Sequence, residues 1–347
     1  MNRRTFLAGT AATTALSAAV PAAPAAGNGT RGITVLVPAM TAEQLAELKA
    51  VAPGVTLVVC TDGREALAHA PKADASYGFI SREILVAGTH LRWVQQASAG
   101  VEHLVAIPEL ISGNVVLTNM QRTFAPEIAD QAIGYLLCFT RGLGAAILAR
   151  WSGEGAPRRP EAVLDELQGK TLLLIALGGI GSQIARRARA FGLRVLATDP
   201  KVIEKPEYVE ELHRPEAFPQ LLPRADVVAS AVPLTPRTRK MIGSAEFARM
   251  KPGTIFLNVS RGGVVDTGAL VAALATGRVA AAGLDVTDPE PLPGNHPLWR
   301  QNVIITPHTA GQSPGGRART FALFKENLRR FASGEMLLNV VDKNVGY

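Results

Sequence analysis

The chain has 347 residues with 36 basic and 29 acidic side chains and six histidines, a formal charge of +7. That surplus is small and scattered, which argues against a nucleic-acid-binding surface and leaves a weak field that would draw in small anions. Hydrophobic residues make up 47% of the chain, enough for a sizeable core, and the length suits two domains. Only two cysteines are present, Cys60 and Cys138, each inside an apolar run; two buried free thiols are expected rather than a disulfide.

Residues 1–26 read as a leader outside the fold. Arg3-Arg4 followed by Thr-Phe-Leu matches a twin-arginine export signal, and the Ala/Thr/Gly-rich run Gly9 to Val20 follows it. That run is too short and too weakly apolar for a stable membrane anchor. Small residues at Ala23-Pro24-Ala25-Ala26 suit a signal peptidase, and no cysteine lies there to carry a lipid. The expectation is a periplasmic or otherwise extracytoplasmic protein that meets the twin-arginine translocase during export.

Past a linker at Gly27 to Gly32, strand and helix patterns alternate to the end, which predicts an α/β protein of parallel sheets covered by helices. Ile33–Val37 reads as a strand, followed by a helix opened by Thr41 with Gln44 at capping-box spacing. Further strands are expected at Val55–Cys60, Ser76–Ile80, Arg92–Gln96 and Val115–Thr118. Pro126 to Arg150 has the apolar spacing of one long helix, ended by a Gly/Pro/Arg-rich arm from Trp151 to Arg159. A more regular series begins at Thr171–Leu177, a continuous apolar run that suits a strand buried on both faces. Arg194–Thr198, Asp226–Val232, Thr254–Val259, Ala280–Val286 and Val303–Thr306 continue the sheet. A last helix, Pro314 to Ser333, is expected to return to the first domain. The predicted layout is therefore two Rossmann-like doubly wound domains: a smaller, discontinuous substrate domain, 31–125 plus 312–347, and a larger nucleotide domain, 126–311.

The first apolar strand of that series runs into Ala176-Leu-Gly178-Gly179-Ile180-Gly181. In a dinucleotide fingerprint, glycines allow a tight turn, close approach of backbone to pyrophosphate, and helix-on-strand packing. The phosphate then rests on the helix N-terminus, where free N–H groups favour negative charge. Gly178 and Gly181 take the second and third glycine positions, but Ala176 holds the first, and its methyl group is expected to tighten or distort the turn. Asp199, 18 residues beyond Gly181, would accept from the adenosine ribose hydroxyls and repel a 2′-phosphate, favouring NAD over NADP.

The most informative stretch is Asn258-Val-Ser-Arg261-Gly-Gly-Val-Val-Asp266, taken with Glu290 and Pro307-His308. It sets an arginine, a carboxylate and a histidine near the ends of successive strand-like runs. Beside a dinucleotide site, these are the parts for moving a hydride and a proton at a carbon next to a carboxylate. Arginine suits the anion because its planar fork donates parallel charge-assisted bonds and stays protonated. No spacing suggests a metal site.

Four blocks in order carry a family resemblance: Met250-Lys-Pro-Gly-Thr-Ile-Phe-Leu-Asn-Val-Ser-Arg-Gly263, Gly283-Leu-Asp-Val-Thr-Asp-Pro-Glu-Pro291, His296-Pro-Leu-Trp299 and Thr306-Pro-His-Thr-Ala-Gly311. From about Thr34 to Tyr347 the chain resembles the D-isomer-specific 2-hydroxyacid dehydrogenases, which include glyoxylate/hydroxypyruvate reductases and phosphoglycerate dehydrogenases. The resemblance implies that Arg261 bridges the substrate carboxylate and 2-oxo oxygen. It makes His308 the general acid/base, with Glu290 on its other ring nitrogen favouring the charged ring. It also implies that Ser98-Ala99-Gly100-Val101 offers backbone N–H groups to the substrate carboxylate, where small residues permit approach. Asp285 would bond the nicotinamide carboxamide, and Val232, Pro233 and Val259 would line the nucleotide. Thr238, Ser260, Arg261, His308 and Gly311 complete the implied cofactor site. The remaining histidines, His69, His90, His103, His213 and His296, read as structural or solvent-facing. Departures from the family pattern are Ala176, Leu173 where glycine is usual, and Asp130-Gln131 where Glu-His is common.

The expected activity is NAD(H)-dependent hydride transfer at C2 of a small 2-oxo or 2-hydroxy acid of D configuration. A homodimer is expected, joined through the nucleotide domain with the 126–160 helix and arm. Two alternatives stand beside this reading. One is an exported oxidoreductase whose nucleotide never dissociates and cycles between two substrates. The other is a non-enzymatic, nucleotide-responsive binding protein, since the C-terminal-binding corepressors share the fold and similar site residues.

Overall fold

The computed structural model describes residues 32–151, 164–201 and 204–347. The proposed leader, nearly all of the linker after it and most of the Gly/Pro/Arg-rich arm lie outside the described residues. In the described part, strands and helices alternate around two parallel sheets.

The smaller sheet contains β1 (Ile33–Pro38), β2 (Val55–Cys60), β3 (Ala75–Tyr77), β4 (Trp93–Gln95) and β5 (Val116–Thr118), in the order β2-β1-β3-β4-β5, every pair parallel. Between these strands run α1 (Ala42–Val51), α2 (Gly63–His69), α3 (Arg82–Ala87) and α4 (Pro108–Ser112). Thr41 caps α1 with the expected reciprocal bonds to Gln44. Two long helices follow, α5 (Ala125–Thr140) and α6 (Leu143–Trp151). The larger sheet takes β6 (Thr171–Ile175), α7 (Gly179–Ala190), β7 (Arg194–Thr198), β8 (Glu211–His213), α8 (Phe218–Leu221), β9 (Val227–Ser230), α9 (Ser244–Arg249), β10 (Thr254–Asn258), α10 (Thr267–Ala275), β11 (Val279–Leu284) and β12 (Val303–Ile305). Its order is β12-β11-β10-β9-β6-β7-β8, again all parallel. The strand order reverses beside β6, the switch point at which such sheets bind ligands.

All five residues of β6 are buried, and they alternate between two apolar layers. Leu172 and Leu174 pack with α5 and α7, whereas Leu173 and Ile175 pack with Phe218, Leu270 and Leu274 on the other face. Each such side chain contributes on the order of 1.5–3 kcal/mol by leaving water. Leu173, at a position where the family resemblance led us to note a glycine, is therefore core and does not enter the site.

The last helix, α11 (Pro314–Ser333), packs Phe324, Leu328 and Phe331 into the core of the smaller sheet with Val35, Val37 and Trp93. Phe324 stacks on Tyr77 at a centroid distance of 4.1 Å. Asn327, fully buried, ties the helix down. Its Nδ2 donates to Gln95 Oε1 (3.0 Å) and Leu338 O (3.1 Å), while its Oδ1 accepts from Leu338 N (2.8 Å).

Several sequence expectations are corrected. The helix expected over Pro126 to Arg150 is two helices bent by 75°, with Gly142 at φ 65° in the break. The strand expected at Ser76–Ile80 ends at Tyr77, because Gly78 turns left-handed at φ 80°. β8 had no expectation at all. Cys60 is buried as expected, but Cys138 is only partly so; both are free thiols. Among the described residues, no single helix is long and apolar enough to cross a membrane.

Candidate active site

The glycine turn lies between β6 and α7, with Gly178 as the helix N-cap. Built onto Gly178, a Cβ would meet nothing within 4 Å, so the face at the helix N-terminus is open. At Gly181 a Cβ would stand 2.1 Å from Ala176 O, so helix and strand pack there only without a side chain. Gly179 is closed over by Arg122, whose Cγ would be 2.7 Å from such a Cβ. Ala176 adopts φ 76°, so the turn forms in the left-handed conformation that glycine would take more cheaply. Asp199 is buried at the end of β7, and its carboxylate accepts from Leu177 N (2.9 Å) and Lys201 N (2.8 Å). The acid thus braces the turn itself. An open helix N-terminus, bare glycine backbone and a carboxylate at the next strand end fit a dinucleotide.

Of the other implied nucleotide contacts, Val232 and Pro233 follow β9, and Thr238 donates to Pro233 O at 2.6 Å. Val259 and Ser260 follow β10; Ser260 Oγ donates to Asn258 Oδ1 at 2.7 Å and is 3.1 Å from Ser230 Oγ. Gly311 lies where a Cβ would touch Phe124 at 3.4 Å, so it packs against the start of α5.

A cavity of about 390 Å³ opens between the two sheets' loops. Ser98, Gly100, Arg261, Glu290 and His308 all line it. Arg261 leaves β10, and its backbone is held by Asn258 Nδ2, which donates to Arg261 O at 3.0 Å. The next residue must be glycine, since a Cβ on Gly262 would stand 1.9 Å from Thr287 O. That contact brings the Arg261 turn against the loop carrying Glu290. Glu290 Oε1 lies 2.8 Å from His308 Nδ1, which leaves Nε2 as the free ring nitrogen.

His308 itself is held at φ 55°, a left-handed conformation that persists only when the surroundings impose it. Asp285, buried at the end of β11, supplies that constraint. Its Oδ1 accepts from Thr306 Oγ1 (2.6 Å), Thr309 N (2.9 Å) and Ala310 N (3.1 Å), while its backbone oxygen accepts from His308 N at 2.9 Å. Asp285 is therefore engaged in shaping the histidine loop. Thr306 Oγ1 also lies 2.5 Å from Tyr135 OH and accepts from Gln131 Nε2 at 3.3 Å. Burial raises the Tyr135 pKa, so the hydroxyl stays protonated. Gln131, a departure from the family pattern, thus finds partners in this network. Gly283 admits it, because a Cβ there would stand 2.5 Å from the Tyr135 ring.

In the smaller sheet's loop, Ser98 O accepts from Met120 N (3.0 Å) and Ala99 O from Asn119 Nδ2 (2.7 Å), while Val101 is buried in the core. Among the lining residues, the sequence reading did not single out Glu102, Leu234 or Arg239. His103, expected to be structural or solvent-facing, is exposed at the rim of the cavity with Gln96 Nε2 3.4 Å from its Nε2. Glu102 pairs with Arg261. Its only sequence signal was an acid placed directly after the small-residue loop.

Residues 133–310 match the D-isomer specific 2-hydroxyacid dehydrogenase, NAD binding domain. A glyoxylate reductase of Korarchaeum cryptofilum is 36% identical over 273 residues, 77% of this chain and 80% of its own length. A D-3-phosphoglycerate dehydrogenase of Methanocaldococcus jannaschii is 31% identical over 263 residues, and the match spans half of that longer protein. A D-isomer specific 2-hydroxyacid dehydrogenase of Xanthobacter autotrophicus, solved with NADPH and MES, is 29% identical with a TM-score of 0.73, covering 91% of this chain and 99% of that one. The chain belongs to the D-isomer specific 2-hydroxyacid dehydrogenase family.

Proposed function

We propose that the protein is an NAD(H)-dependent oxidoreductase that interconverts a small 2-oxo acid and its D-2-hydroxy acid. The observation that carries this reading is the convergence of Arg261, the His308–Glu290 pair and Ser98 and Gly100 of the 98–101 loop on one cavity. When bound, the nicotinamide supplies or takes up a hydride at its C4. Gly178, Gly179, Ile180 and Gly181 would hold the pyrophosphate on the N-terminus of α7. Asp199 retains lone pairs for the ribose hydroxyls beyond its two backbone bonds, and its charge would disfavour a 2′-phosphate, which supports NAD over NADP.

Arg261 would grip the substrate carboxylate with its guanidinium N–H groups and polarise the 2-oxo oxygen. His308 Nε2 would give that oxygen a proton in reduction and remove it in oxidation. Glu290, on Nδ1, holds the ring's orientation and stabilises the imidazolium that forms in oxidation. Closing the cleft over these groups would exclude water.

The test is turnover of glyoxylate, hydroxypyruvate and pyruvate with NADH and with NADPH, by wild type and His308→Gln. The variant is expected to lose about 10²–10⁴-fold in turnover while binding NADH as wild type does. Near-parental turnover in the variant would remove His308 from the mechanism. Faster turnover with NADPH than with NADH would overturn the cofactor assignment.

A further inference from the structure

One ion pair in the cleft has no part in that mechanism. Glu102 Oε1 accepts from Arg261 Nε at 2.6 Å, joining groups 159 residues apart and spanning from the smaller sheet's loop to the larger sheet's strand end. A second guanidinium N–H, on Nη1, donates to Ser260 O at 2.8 Å. Both charged groups converge on Gly100: a methyl there would stand 1.8 Å from Arg261 Nη2 and 2.7 Å from Glu102 Oε2. The Glu102 carboxylate therefore lies by the Nε–Nη2 edge, where the 98–101 loop meets Arg261. That is the place a substrate carboxylate must take if it is to touch both.

An internal carboxylate at this place does two things. It neutralises Arg261, and it sets a fixed negative charge beside any anion approaching the remaining N–H groups. Burial alone would raise the Glu102 pKa, yet the Arg261 guanidinium overrides it and holds the carboxyl below the usual range. The competing charge is thus present throughout neutral pH.

We propose that Glu102 is a built-in competitor that occupies the carboxylate subsite of Arg261 until a substrate carboxylate displaces it. The inference rests on Arg261 being the substrate-binding residue. Exchanging one carboxylate for another leaves the guanidinium paired throughout, so a 2-oxo acid can make the exchange. An uncharged aldehyde or ketone has no anion to offer, and breaking the pair for it would leave two charges uncompensated in a partly buried cleft.

Oxalate tests the exchange without turnover, since it has the outline of a 2-oxo acid and accepts no hydride here. It is titrated by calorimetry into NAD-loaded wild type and Glu102→Gln. Removing the competing charge is expected to tighten oxalate by about fivefold or more. Equal or weaker oxalate binding in a variant that melts as wild type does would overturn the proposal and leave Glu102 as a residue that merely positions Arg261. If Glu102→Gln melts early, Glu102→Asp makes the same comparison with a carboxylate one methylene further from Arg261, and tighter oxalate is again expected. Oxalate binding to neither protein would also overturn it. A wild type that binds oxalate yet reduces no 2-oxo acid would sink the dehydrogenase reading and leave this one standing.

Discussion

Ala176 shows what a single methyl group does at the nucleotide turn. The sequence reading expected it to tighten or distort the turn, and the backbone instead closes in the left-handed region at φ 76°. An L-residue there costs about 1–2 kcal/mol relative to a right-handed conformation, and glycine would avoid most of that while freeing the unfolded chain somewhat. Ala176→Gly is therefore expected to stabilise the protein by roughly 0.5–1 kcal/mol, raising the melting temperature by about 1–3 °C for a chain of this size. A lower melting temperature would show that the turn carries no such strain. The same scale explains what was legible. Arg261, Glu290 and His308 are charged or titratable side chains following apolar strand runs, in blocks that resemble the family's motifs, and the structure gathers them around one cavity. Glu102 was not legible because its partner lies 159 residues away, and an acid after a small-residue loop reads as solvated surface. Asp285 was singled out for the nicotinamide, but nothing in its spacing foretold three bonds to the histidine loop.

At the scale of elements, strands buried on both faces were readable because burial forces a continuous apolar run, as in β6, where all five residues are buried. β8 lies at the sheet edge with three half-buried residues and carries no such pattern. The break between α5 and α6 was hidden for a related reason. Apolar spacing continues across Gly142, yet α6 buries none of its residues; Leu148 is 71% and Trp151 83% exposed. Periodicity reports which face of a helix is apolar and not what that face meets. A cluster of large exposed apolar side chains on one helix is a costly surface for a lone molecule. We propose that a second copy of the chain covers it, as the family resemblance implies for this segment. Light scattering is expected to give a dimer mass for wild type and a shift toward monomer for Leu148→Glu. A monomer for wild type at micromolar concentration would rule this out.

At the scale of the whole molecule, the acid limb of stability follows from carboxylates held by cations. Glu211, between Arg224 and His213, is lowered to about 2. Asp226 is opposed by burial, but Lys251 at 2.7 Å and the Thr171 N–H at 2.8 Å carry its pKa below the usual range. The direction of the linkage follows from the proton balance. Each group binds protons more weakly when folded, so its stabilisation is fully present above the unfolded carboxylate pKa and is lost as pH falls through the folded value. The melting temperature is expected to be nearly flat from pH 8 to about 5 and to fall below about 4.5, near the unfolded carboxylate pKa. Asp226 is the pair to probe, because it joins β6 to the loop before β10 across the base of the larger sheet. Asp226→Asn removes the charge opposite Lys251, and with that pair partly exposed the loss at pH 7 should be about 1 kcal/mol. As pH falls through its lowered pKa the wild-type carboxylate is itself protonated, so the two proteins should converge. A gap that stays constant from pH 7 to pH 3 would mean the asparagine is disturbing packing instead, and that the Lys251 pair contributes nothing to the acid limb.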